Sequence, residues 1–120
     1  MFSLNESHHY YLCSASVDMR GGFNSLCGVV RSFMGRDPLS GDVFIFINKT
    51  RTRIKLLHWE RGGLVIYHKR LESGTLSLPS FDFTTKSYQM SWCDLIMMTE
   101  GVSLKNITRK KRYNLPSKIA

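Results

Sequence analysis

The sequence predicts an α+β fold: a mostly antiparallel sheet with a central basic hairpin, covered by two helices, and a disordered basic C-terminal tail. Three observations carry this. Residues 51–71 alternate charged and apolar side chains at a period of two and fold back at Arg61-Gly62-Gly63, the pattern of a β-hairpin. Residues 19–34 space Met19, Phe23, Leu26, Val30 and Phe33/Met34 three or four apart, which puts one apolar stripe on a helix. Residues 105–120 hold Lys105, Arg109, Lys110, Lys111, Arg112 and Lys118 with no acid, a charge of +6 that leaves only +2 of the net +8 for the rest.

Taken in order, residues 10–15 are a compact aromatic and apolar run and form a first strand. Asp18 is the natural N-cap of the helix over residues 19–34, its carboxylate accepting from unpaired first-turn amides. Gly35 stops that helix, and Arg36-Asp37-Pro38 prevents its continuation. After turn residues 38–41, the run DVFIFI at 42–47 reads as a central strand buried on both faces. Asn48-Lys49-Thr50 turns the chain into a strand over 51–59, and 64–71 returns antiparallel to it. Residues 75–78 and 87–90 are candidate short strands. Ser91 caps a second helix with Asp94 as its capping-box partner, and Gly101 ends it. One domain over 1–104 and a basic flexible tail over 105–120 follow from this organisation.

Centring the hairpin loop on Arg61-Gly62 sets its register. One face then holds His58 opposite Val65, Leu56 opposite Tyr67, Ile54 opposite Lys69 and Thr52 opposite Leu71, and meets the core. The other holds Trp59–Leu64 and Leu57–Ile66 near the turn, then Lys55–His68, Arg53–Arg70 and Arg51–Glu72 toward the open end. Like charges directly opposite destabilise a sheet unless something neutralises them, and a phosphate backbone would. Arg51, Arg53, Lys55, Lys69 and Arg70 are therefore candidate phosphate contacts. Trp59, at the edge of the patch, is placed to stack on an unpaired base or to slide along a groove wall. The competing reading is a solvated sheet face that guards against edge association. Arg20, beside Gly21-Gly22 at the helix start, is a further candidate anion clamp. Lys110, Lys111 and Arg112 add nonspecific electrostatic grip from the tail.

Hydrophobic content of 42% and charged content of 22% are those of an ordinary globular protein. The three cysteines form no C-x-x-C pair and lie beside apolar residues, so buried free thiols are expected. The N-terminus has no basic region before an apolar run, and no apolar stretch is long enough to cross a bilayer. A cytoplasmic, nucleoid-associated location is the expectation. No Cys/His spacing resembles a metal site, no nucleophile elbow is present, and no group of carboxylates suits two-metal phosphodiester chemistry. No catalytic residue, cofactor, metal or small-molecule substrate is expected.

The ordered blocks DMRGGF (18–23), DPLSGDVFIF (37–46), KLLHWERGGL (55–64) and KRLESG (69–74), followed by Pro79, carry a resemblance. Over about residues 11–101 the chain resembles the TnpB-type accessory protein, the second reading frame product, of bacterial insertion sequences of the IS-sixty-six type. The resemblance implies an accessory role in DNA transposition beside a separate transposase, and no enzymatic activity of its own. Glu60 stands where the family usually has Asp, and Gly21 where Lys or Arg is common. The predicted function is thus a non-catalytic accessory protein for transposition that binds DNA, at element ends or as nonspecific duplex, through the hairpin face and tail. The alternative is an adaptor that docks on the transposase without direct DNA contact, with Trp59, Leu57, Leu64 and Ile66 as its apolar hot spot.

Overall fold

The computed structural model describes residues 4–82 and 84–100. β1 (Tyr10–Cys13) leads through α1 (Phe23–Ser32) to β2 (Val43–Ile47). β3 (Arg53–Glu60) and β4 (Gly63–Arg70) form the hairpin, and β5 (Ser87–Met90) precedes α2 (Trp92–Thr99). The five strands make one sheet in the order β4-β3-β2-β1-β5. Three neighbouring pairs are antiparallel, while β1 and β2 are parallel and joined by α1. The fold is α+β with a dominant, mixed sheet. Strand patterns alone do not disclose the parallel pair; a crossover helix is what permits it. The hairpin, expected at the centre, lies at one edge, and the central place belongs to β2.

β2 explains the layering. All five of its residues are buried. Val43, Ile45 and Ile47 pack with Leu95 and Met98 of α2, whereas Phe44 and Phe46 pack with Leu26 and Val30 of α1. Successive side chains of a strand point to opposite faces, so a strand with a helix on each side must be apolar throughout. Each fully buried side chain of this kind contributes about 1.5–3 kcal/mol.

Several local expectations are corrected. α1 begins at Phe23, not Met19, and its N-cap is Gly22 with no side-chain bond. Asp18 instead accepts from the Arg20 backbone N–H at 2.9 Å and from the Arg20 guanidinium, so it cannot serve the helix. Gly35 does end α1: at φ 67° it lets the Arg36 N–H reach the Val30 carbonyl at 3.0 Å. Ser91 caps α2, its hydroxyl accepting from the Asp94 N–H at 3.0 Å. Residues 75–78 form no strand; Leu76 is buried and its N–H donates to the Arg51 carbonyl. Cys13 and Cys27 are buried free thiols, but Cys93, on α2, is exposed. Gly101 and the tail lie outside the described residues. No helix among the described residues is long and apolar enough to cross a membrane.

Candidate nucleic-acid interface

The hairpin pairs as its sequence predicts. Arg53 lies opposite Arg70, Lys55 opposite His68, Leu57 opposite Ile66 and Trp59 opposite Leu64. Arg61 at φ 49° and Gly62 at φ 83° form the two-residue loop, both in the left-handed region that a tight hairpin turn requires. The faces follow the predicted alternation. Ile54, Leu56 and Tyr67 join the α2-side core, while Leu57, Leu64 and Ile66 pack on the α1 side.

The expected cations do not share one surface. Lys55 is buried, and its Nζ donates to the Met19 and Gly21 carbonyls, each at 2.8 Å. An ammonium so enclosed is a clamp on the β1–α1 connection and cannot meet an external phosphate. Lys69 is on the other face, where its Nζ donates to the Thr99 carbonyl at 2.6 Å and complements the C-terminal end of α2. Trp59 is half-buried near the hairpin tip, six residues or about 20 Å along the strand from Arg53, so it does not border the cations. Glu72 pairs with Arg70 at 3.1 Å rather than with Arg51. Lys110, Lys111 and Arg112 lie outside the described residues.

What converges is one end of the sheet. There β1 and β2 finish, β3 begins and β4 finishes. A groove of about 620 Å³ runs between the β1–α1 connection, with Asp18 and Arg20, and the β2–β3 turn, with Lys49, Thr50, Thr52 and Arg53. Arg53 also lines an adjoining depression of about 330 Å³ with His68, Arg70 and Glu72. Arg53 therefore joins the hairpin cations to Arg20 and Lys49 in one continuous strip. Among the described residues Arg53 has no ion-pair partner, whereas Arg20 is held by Asp18 at 2.6 Å and Arg70 by Glu72.

The β2–β3 turn is built for rigidity. Asn48 Oδ1 accepts from the Thr52 and Arg53 N–H groups at 2.9 and 3.0 Å, and its Nδ2 donates to the Thr50 and Thr52 hydroxyls. Arg51 sits at φ 59°, its N–H donating to the Asn48 carbonyl and its carbonyl accepting from Leu76. Protonation reports the local field. Loss of some hydration, then the charges of Lys55, Arg53 and Arg70, push the pKa of the exposed His68 down from its ordinary 6.5. Hydrogen bonds from Arg20 hold the Asp18 carboxyl down at about 2. A positive potential at His68 is what a polyanion site needs.

Lys49 and His68 line the groove and the adjoining depression, respectively, and are not among the candidate residues that the sequence pattern points to. The N-x-T-x-T spacing of Asn48, Thr50 and Thr52 was the available signal for a rigid turn that presents Lys49. Nothing local signals that this turn meets the Arg20 segment. Among the described residues no three His, Cys, Asp or Glu side chains come together to hold a metal ion.

Comparison with known proteins decides the lineage. The family described as IS66 Orf2 like protein matches residues 8–109. The chain belongs to the IS66 Orf2-like family. An uncharacterized protein of Sinorhizobium fredii, y4jC, is 31% identical over 104 residues, covering 87% of this chain and 86% of the relative. A second from the same organism, y4hO, is 28% identical over 80 residues, covering 67% and 70%. No solved structure matches. IS66 Orf2-like proteins are transposition-associated accessory proteins of insertion sequences, a non-catalytic family.

Proposed function

We propose that this IS66 Orf2-like chain is a non-catalytic accessory factor that binds DNA at the cationic end of its sheet. The cutting and joining chemistry would reside in a separate transposase. The observation that carries the reading is Arg53 opposite Arg70, at the head of a groove walled by Arg20 and Lys49. Of these two like charges on adjacent strands only Arg70 has a carboxylate beside it, Glu72, and phosphates would neutralise the remaining positive charge on binding. Arg51, Arg53 and Arg70 are the phosphate contacts in this reading, with Lys49 and His68 beside them. The tail, with Lys110, Lys111 and Arg112, adds sequence-independent attraction, and the protein works at the nucleoid.

Mobility-shift titrations with element-end DNA over a range of salt test this directly. Arg53→Ala combined with Arg70→Ala should reduce the log–log salt slope by about two units, one for each phosphate contact removed. Absence of binding at low salt, or an unchanged slope in the double variant, would exclude this site.

A second reading, an adaptor docking on the transposase, draws on the opposite end of the hairpin. β4 is an edge strand, and Trp59, Leu64 and Ile66 there are only half-buried. Such an edge suits strand addition or an aromatic anchor in a partner's pocket. Co-purification with the transposase that survives moderate salt and is lost on Trp59→Ala would favour it.

A further inference from the structure

We propose that the cationic end of the sheet takes single-stranded DNA, with one unpaired base seated in a cavity beside the β2–β3 turn. This rests on the DNA-binding reading above and adds the strand state of the ligand. A cavity of about 160 Å³ opens between the ends of β1 and β2 and the segment carrying Leu78 and Phe81. Leu12 and Ile47, both buried, contribute its apolar lining, together with Phe81. The Phe81 ring is braced by Tyr88, with centroids 5.3 Å apart. Ser14, Ser16 and Asn48 add polar groups to the lining, and Lys49 and Arg51, both exposed, stand at its edge.

A recess of mixed lining, with aliphatic side chains, one aromatic ring, hydroxyl and amide groups and two cations, has the parts that one unstacked nucleotide needs. The ring and aliphatic groups meet the face of the base, and the cations meet the phosphates on either side. A duplex keeps its bases stacked and paired, so it reaches the cations and leaves the recess empty. A small inorganic anion would likewise use the cations alone.

The backbone at Arg51 points the same way. Its φ of 59° is a conformation that side chains other than glycine's rarely adopt. It is enforced by the Asn48 carbonyl on one side and the Leu76 N–H on the other. Glycine would make this turn with less strain. A cation kept in a strained position at the edge of a cavity is accounted for if its side chain serves the ligand.

Fluorescence anisotropy with three probes carrying equal numbers of phosphates in each strand separates the possibilities: a single strand, the same strand made abasic, and the duplex. The intact strand should bind roughly tenfold tighter than the abasic strand with the same salt slope, because only base stacking differs. The duplex should bind no more tightly than the intact strand. Phe81→Leu keeps apolar volume but removes the ring, so it should bring the intact strand down to the abasic affinity and leave the abasic value unchanged. Arg51→Gly should weaken both single strands and lower the slope by about 0.7 units while the protein stays folded at the assay temperature. Equal affinity for intact and abasic strands, or tighter binding of duplex, overturns the base pocket and leaves DNA binding standing. Absence of binding to any probe at low salt overturns both. Should Phe81→Leu fail to fold, the comparison of probes on the unaltered protein decides alone.

Discussion

At one end of the β3–β4 hairpin Arg53 faces Arg70, and at the other Trp59 faces Leu64. Both ends carry an arginine in the left-handed region, Arg51 at φ 59° and Arg61 at φ 49°. The origin of that conformation differs. At the tip it is the local demand of a two-residue turn between antiparallel strands. At the open end it is imposed by Asn48 and by Leu76, which belongs to a segment well beyond the hairpin. A second contrast lies within β3 itself. Arg53 and Lys55 are two residues apart on the same side of the strand, yet Arg53 lines the groove and Lys55 is buried against two carbonyls. Identical charge and identical facing therefore do not imply a shared role; what lies above each side chain decides it.

The largest effect should come from breaking the contrast inside β3. Lys55→Ala leaves the Met19 and Gly21 carbonyls without their charged donor and opens space under the β1–α1 connection. It should destabilise the fold by about 3 kcal/mol, while Arg53→Ala stays within about 0.5 kcal/mol. Urea unfolding of both variants measures the difference, and equal losses would mean that Lys55 is as dispensable as a surface cation. On the binding side the order reverses. The Arg53 and Arg70 double variant should lower the salt slope, whereas Trp59→Ala, at the apolar tip, should leave it unchanged.

Two histidines sharpen the comparison through pH. His58 is buried, and desolvation is the leading cause of its lowered pKa, with nearby His8 adding to it and the Asp42 backbone and Glu60 opposing. A histidine whose folded pKa is depressed favours the native state above its unfolded value of 6.5. That contribution is lost as pH falls from about 7 through the folded value, because the unfolded chain then binds the proton first. Thermal melts across this range should show Tm falling with acidification, less steeply in His58→Gln. His68 is exposed in the cationic depression. A phosphate there would favour its protonated form, so DNA affinity should rise as pH is lowered toward 6, and His68→Ala should remove that rise.

The smallest effect separates the two turns. Arg61→Gly and Arg51→Gly each exchange αL strain for extra unfolded-state freedom and should change stability by no more than about 1 kcal/mol. Only Arg51→Gly should alter DNA binding. A loss of binding in Arg61→Gly of similar size would shift attention to the hairpin tip.

The sequence by itself determined what depends on neighbours in the chain. The period-two pattern and the Arg61-Gly62 loop set the hairpin register, since side chains alternate strictly along a strand and the turn fixes the pairing. The unbroken apolar run of β2 required burial on both faces, Ser91 and Asp94 specified the start of α2, and four ordered blocks disclosed the family. The tertiary structure alone decided which cations are free. Lys55 meets Met19 across 36 residues and Lys69 meets Thr99 across 30, contacts that no local spacing encodes. The meeting of Arg20, Lys49 and Arg53 likewise depends on β1 lying parallel beside β2, with α1 carrying the chain between them. Periodicity is written by backbone geometry over a few bonds. Convergence is written by which layers pack together, and that is a property of the whole chain.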